Sequence, residues 1–292
     1  MDVLVLGGGP AGATAAIYAA RSGKAVTLVY QDSGALARAE RIENFYGFPA
    51  PISGPDLFRQ GLEQVRSLGV TVKEAQILSL GFGAHGLEAE TTQGTLAAPA
   101  VVLATGAQRR RPRIPGLDDF DGAGVSYCAV CDGFFCRGKE VAVLGAGTYA
   151  LHEAGVLLPL AKRVTLLTNG DPAPEEFPQD LDLDTRPIAA LVGESGILSA
   201  VRFADGGALE VCRLFVALGT AGSGDLARKV GLLTENGKIV VDGTMATNVP
   251  GLFAAGDCTG KPYQIAKAVG DGNIAALSAA QYIEERSREK KA

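Results

Sequence analysis

The chain has 292 residues, 47% hydrophobic and 20% charged, with a formal net charge of −5. Its 39 glycines are nearly twice the usual share of roughly 7%, but there is no Gly-X-Y period and little proline, which excludes collagen-like and low-complexity chains. The acidic balance argues against a nucleic-acid coat, and no run reaches the roughly 18 apolar residues of a membrane span. The expectation is a cytoplasmic chain with neither nucleic acid nor membrane as partner.

In chain order, Asp2 to Leu6 is a short apolar run that closes on Gly7-Gly8-Gly9. Ala11 to Arg21 has helix-forming composition and Ala25 to Tyr30 is a second apolar run, so the opening reads as strand, glycine turn, helix, strand. The pattern returns: Lys139 to Leu144, the turn Gly145-Ala146-Gly147, a helix from Tyr149 to Leu160, and a strand from Arg163 to Thr168. Each copy closes on a buried strand with a glycine exit, Val101 to Gly106 and Leu214 to Gly219. This is an internal duplication of a nucleotide-binding unit. The segment Arg41 to Leu68 belongs to the first copy alone. A last buried strand ends in Phe253-Ala254-Ala255-Gly256-Asp257, and an alanine-rich helix follows from about Gly270 to Glu285. The fold class is α/β, with two Rossmann-like three-layer domains, the second inserted into the first.

Gly7-X-Gly9-X-X-Gly12 follows a strand and opens a helix, the context that a dinucleotide fingerprint requires. The first glycine allows the tight turn, the second lets a pyrophosphate approach the backbone, and the third lets helix and strand pack closely. The helix N-terminus favours the anion. At the end of the second strand, where an acid usually holds the ribose, stands Gln31, which still donates and accepts hydrogen bonds.

The five cysteines are Cys128, Cys131, Cys136, Cys212 and Cys258. In a cytosolic chain an odd number is no disulfide scaffold. Cys128-Ala129-Val130-Cys131 can close a small disulfide, and such spacing lowers the pKa of one thiol. A zinc site would need a second ligand pair, and the two histidines, His85 and His152, do not supply it, so no metal is expected. Asp132 beside the second cysteine offers a proton relay. Cys136, Cys212 and Cys258 read as small hydrophobic fillers, although Cys136 lies close enough to the pair to trap a thiol.

The run Cys128 to Phe135 between two dinucleotide-type units resembles the low-molecular-weight thioredoxin reductases. So do Gly7 to Gly12, Glu43-Asn44-Phe45-Tyr46-Gly47, Ala104-Thr105-Gly106 and Phe253 to Asp257, and the resemblance covers nearly the whole chain. It implies a homodimeric flavoprotein with FAD in a discontinuous domain of residues 1–116 and 244–292, and the redox disulfide in an inserted domain of residues 117–243. FAD contacts are implied at Gly7, Gly9, Pro10, Ala11, Gly12, Gln31, Leu36, Asn44, Thr105, Gly106, Gly256, Asp257, Gln264 and Ile265. Cys131 would face the flavin, Cys128 would attack the disulfide of a thioredoxin-like partner, and Asp132 would be the acid–base residue. The inserted domain would rotate on crossings near Gly116 and Gly243.

The departures point to the electron donor. Where the family carries a His-Arg-Arg stretch for the NADPH 2′-phosphate, this chain has Thr168-Asn169-Gly170-Asp171, then Pro172 and Pro174. No arginine stands there for a bidentate phosphate contact, and Asp171 lies too far along for an NADH-type acid. The pattern resembles the ferredoxin-dependent flavin thioredoxin reductases, so reduced ferredoxin is the expected donor. The run Arg109-Arg110-Arg111-Pro112-Arg113 is either a docking patch for an acidic donor or a solvated loop. The alternatives are an ordinary NADPH enzyme, a dithiol oxidase using oxygen, and a flavin-binding redox sensor that does not turn over.

Overall fold

The computed structural model describes residues 1–84, 86–107 and 112–289. His85 and the basic run Arg109 to Arg111 lie outside the described residues. The chain divides into two compact units, residues 1–109 with 222–292, and residues 110–221.

In the first unit, β1 (Val3–Leu6), β2 (Val26–Tyr30), β3 (Thr71–Glu74), β7 (Ala100–Leu103) and β18 (Leu252–Ala254) form one sheet in the order β18-β7-β1-β2-β3, with every pair parallel. β1, β2 and β7 are buried at every residue, as strands covered on both faces must be. Helix α1 (Pro10–Arg21) begins with Pro at its first position, where the missing N–H costs nothing. It packs on α6 (Ile265–Glu289). A Cβ on Gly272 of α6 would stand 2.1 Å from the Ala11 carbonyl oxygen, so only glycine lets the two helices meet this closely. The strands β4 (Ile77–Gly83), β5 (Gly86–Thr91) and β6 (Gly94–Ala98) make an antiparallel sheet that packs against β1 and β7. The segment specific to this copy holds the bridge Ile42–Ile52 and α2 (Gly54–Ser67), whose N-cap Ser53 accepts from the Asp56 amide at 3.1 Å.

The second unit repeats the plan. Strands β8 (Val125–Ser126), β9 (Glu140–Leu144), β10 (Arg163–Leu167), β11 (Asp182–Asp184) and β15 (Arg213–Val216) form a parallel sheet in the order β11-β10-β9-β15-β8. The short helix α3 (Ala129–Asp132) follows β8, and α4 (Thr148–Leu157) follows β9. Strands β12 (Ile188–Glu194), β13 (Ile197–Phe203) and β14 (Ala208–Glu210) form an antiparallel sheet. Its core joins Leu144, Leu167 and Leu214 to Leu191, Val201 and Phe203. The two parallel sheets are the Rossmann-like pair that the duplicated pattern predicts.

Residues 222–243, placed in the inserted domain by the sequence reading, pack in this structure within the first unit. Helix α5 (Ser223–Lys229) lies on β4, with the Lys229 ammonium donating to the Leu78 carbonyl at 3.2 Å, and the hairpin β16 (Thr234–Glu235) and β17 (Lys238–Ile239) follows. The C-terminal helix runs longer than the alanine-rich stretch suggested, because its first turn starts directly at Ile265.

Candidate active site

All strands of a parallel sheet end on one edge, and ligands bind where the strand order reverses. In the first unit that edge gathers Gly7 after β1, Gln31 after β2, Thr105 and Gly106 after β7, and Gly256 and Asp257 after β18. Gly7 has a φ of 115°, and a Cβ there would meet the Ala104 carbonyl oxygen at 2.2 Å. Gly12 is as constrained, its Cβ falling 1.9 Å from the Gly7 oxygen. Gly9 is different: it caps α1 at a φ of −68°, and among the described residues a Cβ there would meet nothing within 4 Å. Packing explains Gly7 and Gly12, whereas among the described residues no packing contact requires glycine at Gly9.

Two further observations fit a large polar cofactor at this edge. The Thr105 hydroxyl and the Asn273 side-chain oxygen are buried without a hydrogen-bond partner among the described residues, which natural interiors avoid unless a ligand completes them. Burial raises the Asp257 carboxyl above its ordinary value, against the lowering effect of Lys267 and Lys238. A hydroxyl donor from a ribityl chain would stabilise that carboxylate. The turn carrying Asp257 is held by Lys267, whose ammonium lies 2.7 Å from the Gly256 oxygen, 2.7 Å from the Thr259 hydroxyl and 2.8 Å from the Asp271 carboxylate. Asn44 donates to the Gln264 amide oxygen at 3.1 Å, which joins those two residues at the surface. Leu36 packs with Ile42 and Ile52, with Ile265 against them.

In the second unit, Cys128 and Cys131 are joined by a disulfide, with the Cys131 amide donating to the Cys128 sulfur at 3.2 Å. Cys131 is exposed, while Cys128 is 2% exposed. Asp132 is not alone beside them. The buried Ser126 hydroxyl donates to its carboxylate at 2.6 Å and accepts from the Cys128 amide at 3.2 Å, and Arg213 forms an ion pair with it. The Glu153 carboxylate, 1% exposed on α4, accepts from the Ala129 amide at 2.9 Å, a favourable place for negative charge at a helix start. Ser126, Glu153 and Arg213 escaped the sequence reading, since no motif spacing links β8, α4 and β15 to the cysteines.

The second glycine turn is packed for its own sake. A Cβ on Gly145 would strike the Ala217 oxygen at 2.3 Å and the Ala150 methyl at 2.8 Å. Beyond β10 the chain closes on itself. The Thr168 hydroxyl donates to the Asp171 carbonyl at 2.6 Å, Gly170 N to the Thr185 carbonyl at 2.9 Å, and Ile188 N to the Asn169 side-chain oxygen at 2.6 Å. Arg186 is the one basic residue between Thr168 and Pro187. Its guanidinium pairs with Asp184 at 2.6 Å and Asp205 at 3.2 Å and lies over the Phe203 ring at 3.9 Å.

A dinucleotide cradle in one unit and a redox disulfide with a carboxylate beside it in the other define an FAD-binding flavoprotein oxidoreductase. The chain matches the pyridine nucleotide-disulphide oxidoreductases over residues 1–272 and belongs to that family, in its thioredoxin reductase group. It is 32% identical to a thioredoxin reductase of Listeria innocua over 97% of this chain and 94% of that one. Among solved structures it resembles the atypical thioredoxin reductase TRi from Desulfovibrio vulgaris Hildenborough, with 39% identity, a TM-score of 0.91, and 97% and 98% of the two chains covered. It also resembles a ferredoxin-flavin thioredoxin reductase from Clostridium acetobutylicum, with 32% identity, a TM-score of 0.75, and the same coverage. Among the described residues no helix is long and apolar enough to cross a membrane, and no cluster of metal-ligating side chains occurs.

Proposed function

We propose that this chain reduces the disulfide of a thioredoxin-like protein through Cys128 and Cys131, with electrons entering at FAD from a reduced ferredoxin-type protein rather than from NADPH. FAD, when bound, supplies a store for two electrons that accepts them singly or as a pair. The residues do the rest. Two electrons and two protons open the Cys128–Cys131 bond to a pair of thiols. The Cys128 thiolate attacks one sulfur of the partner disulfide, forming a mixed disulfide and releasing the partner's other sulfur as a thiolate. The Cys131 sulfur then attacks Cys128, the internal disulfide re-forms, and the partner leaves as a dithiol. Asp132, held by Ser126 and Arg213, gives a proton to the departing thiolate and takes one from the attacking thiol.

The partner's approach is supported by the surface around Cys131. Val130, Phe134 and Phe135 are all exposed, and aromatic anchors of this kind are favoured at binding surfaces. Homodimer assembly and a cytoplasmic location come with the family resemblance, and sedimentation of the FAD-loaded protein tests the first.

The observation that carries the choice of donor is the closed loop beyond β10, with its single arginine already paired to two carboxylates. Phosphate recognition needs uncommitted guanidinium or ammonium donors, and Thr168 to Asp171 offers none. Anaerobic titration of the FAD-loaded protein is the test, followed at the main visible flavin band. Bleaching by reduced ferredoxin, with none by NADPH or NADH, is the expected result. Rapid stoichiometric bleaching by NADPH would make this an ordinary NADPH-dependent reductase with a different phosphate site.

A further inference from the structure

Cys136 and Cys212 are both free thiols of the second unit and take no part in the chemistry above. Cys136 ends the turn Gly133–Cys136 that follows the redox motif, and its carbonyl accepts from the Lys139 amide at 3.0 Å, just before β9. Cys212 immediately precedes β15, and its amide donates to the Glu140 carbonyl at 2.9 Å. Because β15 runs parallel to β9 with Arg213 opposite Val141, the two cysteines lie at the same end of two adjacent strands. The Cys212 side chain lies close enough to Cys136 to contribute to raising its thiol. The Cys136 sulfur also points to the Asp132 carbonyl, 3.7 Å away. Cys136 has no exposed surface, whereas Cys212 is partly exposed. Cys258 has a different setting, wholly buried in the first unit against the Leu103 and Ala255 carbonyls.

We propose that Cys136 and Cys212 are a second redox couple of this chain, a dithiol that a peroxide converts to a disulfide beneath the Cys128–Cys131 motif. Cys212, the thiol that solvent reaches, loses its proton and attacks a peroxide oxygen. The O–O bond breaks, Cys212 becomes a sulfenic acid, and the leaving hydroxide takes up the proton as water. The Cys136 sulfur then attacks the Cys212 sulfur, the S–S bond forms, the S–O bond breaks, and the hydroxide leaves with the Cys136 proton as a second water. Two thiols lose two electrons and one hydrogen peroxide becomes two waters. Burial and the neighbouring Cys212 push the Cys136 thiol up to about 11, which suits a resolving thiol that stays protonated until its partner is oxidised. The new bond would fasten the turn after the redox motif to the residue preceding Arg213, and would remove the S–H donor from the Asp132 carbonyl.

The test uses the full-length FAD-loaded protein, fully reduced with a small dithiol, desalted without oxygen, and exposed to a modest excess of hydrogen peroxide. Thiols are then alkylated in acidic denaturant and the peptides mapped without reduction. The expected result is a Cys136–Cys212 cross-linked peptide beside the Cys128–Cys131 one, with Cys258 the only alkylated cysteine. In Cys212→Ser the cross-link disappears and Cys136 stays alkylatable after the same exposure. The proposal is overturned if Cys136 and Cys212 both remain alkylatable once Cys128–Cys131 has re-formed. It is equally overturned if Cys136 is found joined to Cys128 or Cys131, or if Cys212 passes to the sulfinic acid without a cross-link. Peptide mapping reads the bond itself, so the outcome does not depend on the electron donor or on thioredoxin turnover.

Discussion

Arg213 and Asp132 form an ion pair across the second unit, Nη1 to Oδ2 at 3.4 Å, and the same carboxylate oxygen accepts a hydrogen bond from the Ser126 hydroxyl at 2.6 Å. Arg213 opens β15 and Asp132 closes the helix of the redox motif, so the carboxylate has a fixed position relative to the disulfide. A partly exposed pair of this kind adds only about 0–1 kcal/mol to stability, and its effect is orientation. Asp132→Asn should lower turnover with a thioredoxin-type substrate about 100-fold, the lower end for general acid–base catalysis. FAD content and the Cys128–Cys131 disulfide should be unchanged. Arg213→Met should lower turnover less, and Arg213→Lys should restore most of it. Wild-type turnover in Asp132→Asn would remove this residue from the mechanism.

Gly9 and Gly12 should separate under the same substitution. A Cβ at position 9 meets open space and the backbone there is ordinary, so Gly9→Ala should leave the thermal midpoint of the FAD-free protein unchanged and weaken FAD binding by about tenfold, roughly 1.4 kcal/mol. At position 12 the new methyl must displace the Gly7 carbonyl. Overpacking against backbone costs about 1–3 kcal/mol, so Gly12→Ala should lower the midpoint even without FAD. Calorimetric titration with FAD and thermal melts of the FAD-free proteins read the two effects independently.

Much of this was legible in the sequence because the signals are local. The glycine spacing, the all-apolar runs of β1 and β7, and the cysteine pair each declare themselves within a dozen residues. What was not legible depends on strands distant in sequence meeting in one sheet. Arg213 reaches Asp132 only because β15 pairs with β8, and Glu153 reaches Ala129 only because α4 packs beside the motif helix. The packing of α5 on β4 is of the same kind, for neither element carries a motif that names the other.

Gly147 is the counterpart of Gly9 in the second unit, its Cβ position in open space save for the Gly219 oxygen 3.9 Å away among the described residues. If no pyridine nucleotide serves the enzyme, Gly147→Ala should leave ferredoxin-driven turnover unchanged within twofold. A large loss confined to NADPH-driven turnover would show instead that the second cradle carries the donor. Paired assays with the two donors give the answer directly.

Asp257 predicts a pH dependence. Burial raises its carboxyl above the ordinary 3.8, and a group raised on folding gives stability that is complete below the unfolded value and is lost as pH rises through the folded one. At neutral pH the FAD-free wild type therefore holds an ionised, partly buried carboxylate at a cost. Asp257→Asn should melt at a higher temperature than wild type at neutral pH in the FAD-free form, and the difference should vanish as pH falls below 3.8. The same variant should retain less FAD, having lost the carboxylate acceptor. Melting curves that stay parallel across the pH range would deny Asp257 its raised value.

The two sulfurs of the motif should behave differently when each is left alone. Cys131 is exposed and Cys128 is buried, so in this conformation an outside disulfide meets Cys131 first, and attack by Cys128 requires the motif to be uncovered. Cys131→Ser leaves Cys128 without its resolving partner. A thioredoxin-type protein lacking its own resolving cysteine, activated as a mixed disulfide with a small aromatic thiol, should then be trapped on Cys128 in good yield. Cys128→Ser should trap it poorly, because Cys131 is the thiol assigned to internal exchange. Either change should abolish multiple turnover while leaving FAD bound, since the pair is needed to accept and pass two electrons. Efficient trapping on Cys131 alone would exchange the two roles and make the exposed sulfur the one that meets the partner.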